Sequence, residues 1–404
     1  MMTDRLTPKD QSLPQSGRGL YEKALNMLQE DYFDAVKAKN LSAWKDTFSA
    51  RTLSNPHDRD AAIRKLAGSL HDPWTEYVSN SDQKHLDALS RAGYRDSGIW
   101  TRPDSNGYPE VQTVRKGFAA YDTPIRAGDK IERINGVDVY GRSEIDVEKM
   151  LLQKTGKKMS IEFQRKDGGR EVANYAMRDF QEQDSEAKVI TGNKGEKILH
   201  AYLPEFQLKS LDDFDSAIDR VLKENPDPNM PMLLDLRGNS GGTMRAERYI
   251  DSEFLTDGVA YKQEIRDGAG TKIEDVPVDE SLTQSASPTD SVRISYLRHA
   301  PVVILIDDAS RSAAESVTAS LRARGRTCGV VGQQSFGKGI YYNDFDLGVG
   351  RLRISDGLVR SPNGEEWHGK GLVPDILVER NRQSDSPDDQ IAAAIERLEN
   401  KKCK

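Results

Sequence analysis

Cysteine is nearly absent from this chain: Cys328 and Cys403 are the only two in 404 residues. They are too few and too far apart for a disulfide framework or a metal site, and Cys328 sits in an apolar run that reads as core. Histidine is scarce as well. The six (His57, His71, His85, His200, His299 and His368) show no ligand spacing, so neither a metal site nor a cofactor is expected. No apolar run approaches a membrane span, and Met1–Asp10 lacks the apolar core of a signal peptide. The expectation is a cytoplasmic chain, or an extracytoplasmic one if a leader is missing. There is also no block of one charge: 65 acids and 58 bases are interspersed to a net −7. That excludes a polybasic surface for nucleic acid or anionic lipid. Nothing in the sequence fixes an oligomeric state.

What is present is length enough for two or three domains, each with its own core. From about Gly19 to Leu89, apolar positions such as Leu20, Ala24, Leu25, Leu28, Tyr32 and Phe33 follow a period near 3.6 and predict helices. From about residue 92 the period shortens. Strands are expected around Gly98–Trp100, Val111–Val114, Lys130–Ile134, Met159–Gln164 and from Val172, with one helix over about Glu144–Gln153. Beyond 181, strand and helix alternate: Lys197–Leu203, helix Ser210–Lys223, buried strand Met230–Leu236 and buried strand Pro301–Ile306. This is α/β layering. The polar stretch 266–298 reads as an exposed insertion. A last helix is signalled by Ser386 as N-cap, Pro387 and Asp388-Asp389. The expected domains are 1–91, 92–180, 181–380 and 381–404.

Three motifs compete for the chemistry. Gly238-Asn-Ser-Gly-Gly242 fits a Gly-x-Ser-x-Gly nucleophile elbow, in which Ser240 would need His299 or His368 as base. It fits equally a glycine turn whose free N–H groups hold an oxyanion. Gly332-Gln-Gln-Ser-Phe-Gly-Lys-Gly339 is one residue from a phosphate-binding loop, but Gly339 stands where Ser or Thr must bind magnesium, and strand character follows instead of a helix. The third constellation is Ser312, before a helical run, with Lys338 in a glycine loop. A strand, a turn, a helix and a second strand lie between them and can return the lysine beside the start of that helix. A neutral lysine can take the proton of a serine hydroxyl, and burial between glycines favours the neutral form. The competing account is a helix cap and an exposed turn lysine, and spacing alone leaves both open.

Residues 92–180 resemble a PDZ domain, on Ile125-Arg-Ala-Gly-Asp-Lys-Ile-Glu-Arg-Ile-Asn-Gly-Val137 and the helix after it. That resemblance puts Gly98, Ile99 and Trp100 in the loop that receives a peptide carboxylate, beside a strand edge open to β-augmentation. From about His71 to Ile376 the chain resembles the carboxyl-terminal processing peptidases. The matching segments are Asp72-Pro-Trp-Thr-Glu-Tyr77, Asp235-Leu-Arg-Gly-Asn-Ser-Gly-Gly242, Ser310-Arg-Ser-Ala-Ala-Glu315, Phe336-Gly-Lys-Gly339, and Ser361-Pro-Asn-Gly364 through Gly369-Lys-Gly-Leu-Val-Pro-Asp375. The resemblance implies a multidomain α/β protein: a helical N-terminal region, a PDZ-like β-rich module and a ClpP/crotonase-like peptidase core. It implies Ser312 as nucleophile, Lys338 as general base, and an oxyanion hole from Ala313 with Gly241 or Gly242. Protein C-termini would be the substrates. Tyr342 replaces the glutamine found four residues after the lysine in many members, and is the candidate group to orient Lys338. Arg311 and Ala314 also depart from the family pattern. A catalytically inactive PDZ-containing scaffold that binds peptides is the alternative; a Ser240/His α/β hydrolase is a third reading.

Overall fold

The computed structural model describes residues 14, 16–72, 74–103, 107–142, 144–181, 184–267, 270–283, 288–379 and 388–400. The expected N-cap Ser386 and Pro387, and the second cysteine, Cys403, lie outside them. The chain forms two compact units, one of the N-terminal segment with Glu264–Ile273 and Ile340–Leu358, the other of the rest.

In the first unit, helices α1 (Gly17–Asp31), α2 (Ala35–Asn40), α3 (Ala50–Ser54) and α4 (Pro56–Gly68) start where the sequence supplies side-chain acceptors. Ser16 caps Gly19, Asp34 caps Val36 and Lys37, and Asn55 caps His57 and Asp58 ahead of Pro56. Leu20, Tyr21, Ala24, Leu25 and Leu28 are the buried stripe of α1, and all but Leu20 join Ile63 and Leu66 of α4 in one core. Strand Glu76–Ser79 pairs antiparallel with the strand Gly350–Arg360, ahead of α5 (Asn80–Arg91). The Asp72-Pro-Trp-Thr-Glu-Tyr segment is a structural clasp. Asp72 accepts from Thr75 Oγ1 at 2.6 Å, Thr75 Oγ1 accepts from Ser355 N at 3.1 Å, and Tyr77 donates to Asp60 at 3.1 Å.

The second unit opens with a β-rich module. Its strands run Ile99–Pro103, Pro109–Val114, Lys130–Ile134, Lys158–Gln164 and Arg170–Ala176 in hydrogen-bonded order. Alternate residues such as Ile131, Met159, Ile161 and Phe163 fill its core. The helix expected to reach Gln153 stops at Met150 (α6, Glu144–Met150); Leu152–Lys154 instead pairs as a strand with Tyr94–Asp96.

The α/β core is a six-stranded sheet whose strands Lys197–Tyr202, Met232–Asp235, Val302–Ile306, Gly329–Gly332 and Ile376–Leu377 are parallel, with Glu186–Thr191 antiparallel at one edge. Alternation sorts the faces. Met232, Leu234, Ile304 and Ile306 meet α7 (Leu208–Glu224), α8 (Met244–Phe254), α9 (Pro288–His299) and α10 (Ala313–Ala323), while Leu233, Val303 and Leu305 meet α11 (Asp389–Asn400). Both faces are covered, which is why these strands read as continuous apolar runs.

Two expectations are corrected. The stretch 266–298, expected as an exposed insertion, is exposed along strand Gly270–Pro277 but also holds the end of strand Val259–Asp267 and most of α9, which is partly buried. Its Arg293 was the misleading residue: 2% exposed, it pairs with Asp290 on its own helix and with Asp215, Asp219 and Glu253 from α7 and α8. Cys328 is not a plain core thiol but is disulfide-bonded. Among the described residues no helix is long and apolar enough to cross a membrane, and no group of three or more metal-ligating side chains is suited to a metal.

Candidate active site

Parallel strands end in loops at one edge, where α/β proteins build their sites. Here the loops after Met232–Asp235, Val302–Ile306 and Gly329–Gly332 are zipped together. Asp307 Oδ1 accepts from the amides of Gly238 at 2.8 Å, Ala309 at 3.1 Å and Ser310 at 3.1 Å. Asn239 holds the glycine turn from inside, donating to Leu203 O at 2.8 Å and accepting from Gly241 N at 2.8 Å. Its carbonyl takes the Arg311 amide at 3.0 Å.

Ser312 follows as the N-cap of α10, at φ 58 and ψ −120. A non-glycine residue at positive φ is strained, and such strain persists only where the surroundings enforce it. The enforcement comes from both sides. On one side stands Gly241, itself at φ +82, where an added Cβ would lie 2.6 Å from Ser312 Cβ. Only glycine lets the two loops approach so closely. On the other stands Glu315, fully buried one turn into the helix.

Glu315 is the centre of the site, and sequence reasoning gave it no role. Its Oε2 accepts from Ser312 N at 2.9 Å and Lys338 N at 2.7 Å, and its Oε1 from Gly337 N at 2.6 Å and Ser335 Oγ at 2.5 Å. One oxygen therefore gathers the backbone of both candidate residues. The signal was legible, because Ser312-Ala-Ala-Glu315 is the Ser-x-x-Glu capping pattern. Burial pushes the Glu315 carboxyl up to about 7, and its four donors oppose that rise. The lysine loop is further held by Phe336 N on Ser310 O, and by a second turn whose Gly369 N donates to Gly337 O at 2.8 Å.

The other expected residues distribute as follows. The amides of Ala313 and Gly242 have no protein acceptor among the described residues. The Gly241 amide is occupied by Asn239, so of the two glycines only Gly242 keeps a free donor. Tyr342 belongs to the other compact unit, its ring under the Arg353 guanidinium at 4.0 Å. Ser240 lies in the turn with its carbonyl facing Arg311 Nε at 3.3 Å. His299 is tied to Ser295 O on its own helix, and His368 lies in the turn beside Gly339. In the β-rich module, strand Ile99–Pro103 pairs on one edge only among the described residues, and α6 packs beside it. Two of the three expected carboxylate-binding amides are engaged locally, Gly98 N to Asp96 Oδ1 at 2.8 Å and Ile99 N to Ser97 Oγ at 3.2 Å. The Trp100 ring lies 6.0 Å from that of Phe336 in the lysine loop.

Below the glycine turn, Asp235 is buried between Arg237, at 2.6 Å, and His200, at 3.0 Å. Burial opposes its ionisation, but the hydrogen bonds and charge of Arg237, then those of His200, hold it well below the usual carboxylate range. Arg237 continues to Asp388 at 2.6 Å and Gln390 at 3.1 Å, tying the last helix to the turn. His200 is thus accounted for by structure.

Comparison with known proteins finds two family models along the chain. Residues 197–378 match the model of Peptidase family S41, and residues 88–164 match that of the PDZ domain. A carboxy-terminal-processing protease of Bartonella bacilliformis is 26% identical over 350 residues, 85% of this chain and 76% of that protein. The carboxy-terminal processing protease CtpA of Bacillus subtilis is 24% identical over 79% of this chain, which spans 64% of that relative, just under two thirds. A photosystem II D1 C-terminal processing protease shares the fold with a TM-score of 0.72 at 19% identity, covering 91% of this chain and 94% of that one. Residues 88–164 therefore resemble a PDZ domain and residues 197–378 a peptidase family S41 domain, and the full-length proteins that this chain is similar to are carboxy-terminal processing proteases.

Proposed function

We propose that this chain is an endopeptidase that cleaves proteins near their C-termini with a Ser312/Lys338 dyad, its PDZ domain receiving the tail. The observation that carries the reading is the Glu315 carboxyl, whose single Oε2 binds the amides of Ser312 and Lys338. Backbone gathered in this way supports a serine hydroxyl and a lysine amine acting as a pair. Lys338 then accepts the Ser312 proton as the hydroxyl attacks the scissile carbonyl, a role open to lysine only in its neutral form. The developing oxyanion is met by the free amides of Ala313 and Gly242, at the positive end of α10. The substrate tail adds to the open edge of Ile99–Pro103, where its carboxylate must displace Asp96 and Ser97 from the loop amides.

Ser312→Ala and Lys338→Ala are each expected to abolish turnover of an unstructured protein with an apolar C-terminal tail, while Ser240→Ala retains it. A fluorophosphonate label should map to Ser312. Labelling at Ser240, or full turnover by Ser312→Ala, overturns the dyad; tail binding without hydrolysis by the unaltered protein identifies a scaffold instead.

A further inference from the structure

Helix α10, which begins at the candidate nucleophile, is buried along its length, and it packs on α8. Ser316 and Ser320 lie one and two turns beyond Ser312 on the same face of the helix. Opposite them on α8 stand Glu247 and Asp251, also one turn apart. The Ser316 hydroxyl faces Glu247 and the Ser320 hydroxyl faces Asp251. All four side chains are buried, Asp251 and Ser320 completely. Their alignment falls short of full hydrogen bonds: Glu247 Oε1, both oxygens of Asp251 and both hydroxyls are left without a well-oriented partner.

Two carboxyls and two hydroxyls in a dry interface satisfy one another in one way only. An ionised carboxylate accepts and never donates, whereas a neutral acid and a hydroxyl each do both and can pair reciprocally. Ionisation here lacks compensation, since a buried charge needs a partner to offset its desolvation. On α8 the cation acting on Glu247 is Arg248, and its guanidinium is engaged by Asp279 at 2.7 Å. No cation acts on Asp251, whose charged neighbour is Glu247 itself. From α9, Arg293 is taken by Glu253 and the acids of its hub, and Arg298 donates to Ser252 O. On α10 itself, Glu315 is turned to the lysine loop. Neither the dyad nor the oxyanion amides make use of the Glu247–Asp251 pair.

We propose that Glu247 and Asp251 are positioning residues for Ser312: as neutral acids they bind Ser316 and Ser320 and seat the nucleophile helix, and their ionisation unseats it. The inference rests on the reading of Ser312 as nucleophile. Burial, which pushes Glu247 up to about 7 and Asp251 well above the carboxylate range, agrees with it. Peptidase activity is then limited on its acid side by the lysine that must be neutral, and on its alkaline side by this pair.

The test is kcat, KM and melting temperature of the full chain across acid to alkaline pH, for the unaltered protein, the double variant Glu247→Gln/Asp251→Asn, and Ser316→Ala. For the unaltered protein, kcat should fall roughly tenfold per pH unit above the ionisation of the pair with KM unchanged, and the melting temperature should fall in the same range. In the double variant, whose amides also donate and accept, the decline in kcat should vanish, and the melting decline should shrink to the part that Glu253 and Asp215 contribute. Ser316→Ala should lower kcat at every pH without raising KM. An active enzyme whose alkaline decline in kcat survives in the double variant, or a double variant equally impaired at all pH, overturns the positioning role alone. A protein that hydrolyses nothing at any pH, yet shows the melting decline and its reduction in the double variant, removes the peptidase reading and with it the role.

Discussion

Glu315 carries four hydrogen bonds on two oxygens, and the two simplest replacements divide them differently. In Glu315→Gln the new amide nitrogen has one tolerable position, that of Oε1, because the Ser335 hydroxyl there can turn and accept. Gly337 N then loses its acceptor and the Ser335 hydroxyl must redirect its proton, while Ser312 N and Lys338 N keep their acceptor. An orphaned buried donor costs about 1–3 kcal/mol, so the variant should fold with a stability loss of about 2 kcal/mol and keep measurable activity. Glu315→Ala orphans all four donors and opens a cavity. At the same rate the loss is roughly 4–12 kcal/mol, comparable with the 5–15 kcal/mol typical of a folded domain, and the backbone of Ser312 and Lys338 is released together. Urea unfolding measures the first quantity, and burst kinetics with a fluorophosphonate the second. If Glu315→Ala unfolds at the unaltered midpoint and still labels at the unaltered rate, the idea that this carboxyl assembles the site is wrong.

Other outcomes follow from the same geometry. Gly241→Ala places a methyl 2.6 Å from Ser312 Cβ at φ +82, and should cut turnover at least a hundredfold while folding is retained, as circular dichroism would report. Asp235→Asn weakens the Arg237 link to Asp388 and should expose the last helix to proteolysis near residue 388. The pH dependence of stability has a definite sign. Burial pushes Glu247 from 4.5 to about 7, Glu253 from 4.5 to about 8 and Asp215 from 3.8 to about 6. Each folded value exceeds the unfolded one, so the stability present below about pH 4 is lost as pH rises toward about 8, with about 3 kcal/mol from Glu247 alone. Asp235 acts oppositely: its depressed carboxyl contributes stability at neutral pH that is lost in acid. Thermal melts across this range showing no fall on the alkaline side would contradict the burial of these groups.

Much of the fold was legible because it rests on periodicity. The runs Met232–Asp235 and Val302–Ile306 are apolar throughout since both faces of the sheet are covered, and the spacing of Leu20, Ala24, Leu25 and Leu28 is that of a helix stripe. What escaped was polar and long-range. Arg293 and Asp290 fell in a stretch read as exposed because charge is ordinarily solvated, and no local pattern tells that they converge with Asp215, Asp219 and Glu253. At the site, Ser312 and Lys338 came from motif order, but the tie between them, Glu315, is a contact across 23 residues of chain that spacing does not report. Asn239 and Asp307 escaped for the same reason: each serves backbone of a loop that is distant in sequence.

The positive φ of Ser312 has a consequence for how this chain ages under mutation. A residue held at φ 58 and ψ −120 carries strain of about 1–3 kcal/mol that glycine would not feel. Ser312→Gly should therefore yield a tougher molecule that does nothing, so selection for stability and selection for chemistry pull in opposite directions at this one position. Copies freed from the need to cut would drift there first, and a fold this well buttressed would outlive its own reactivity.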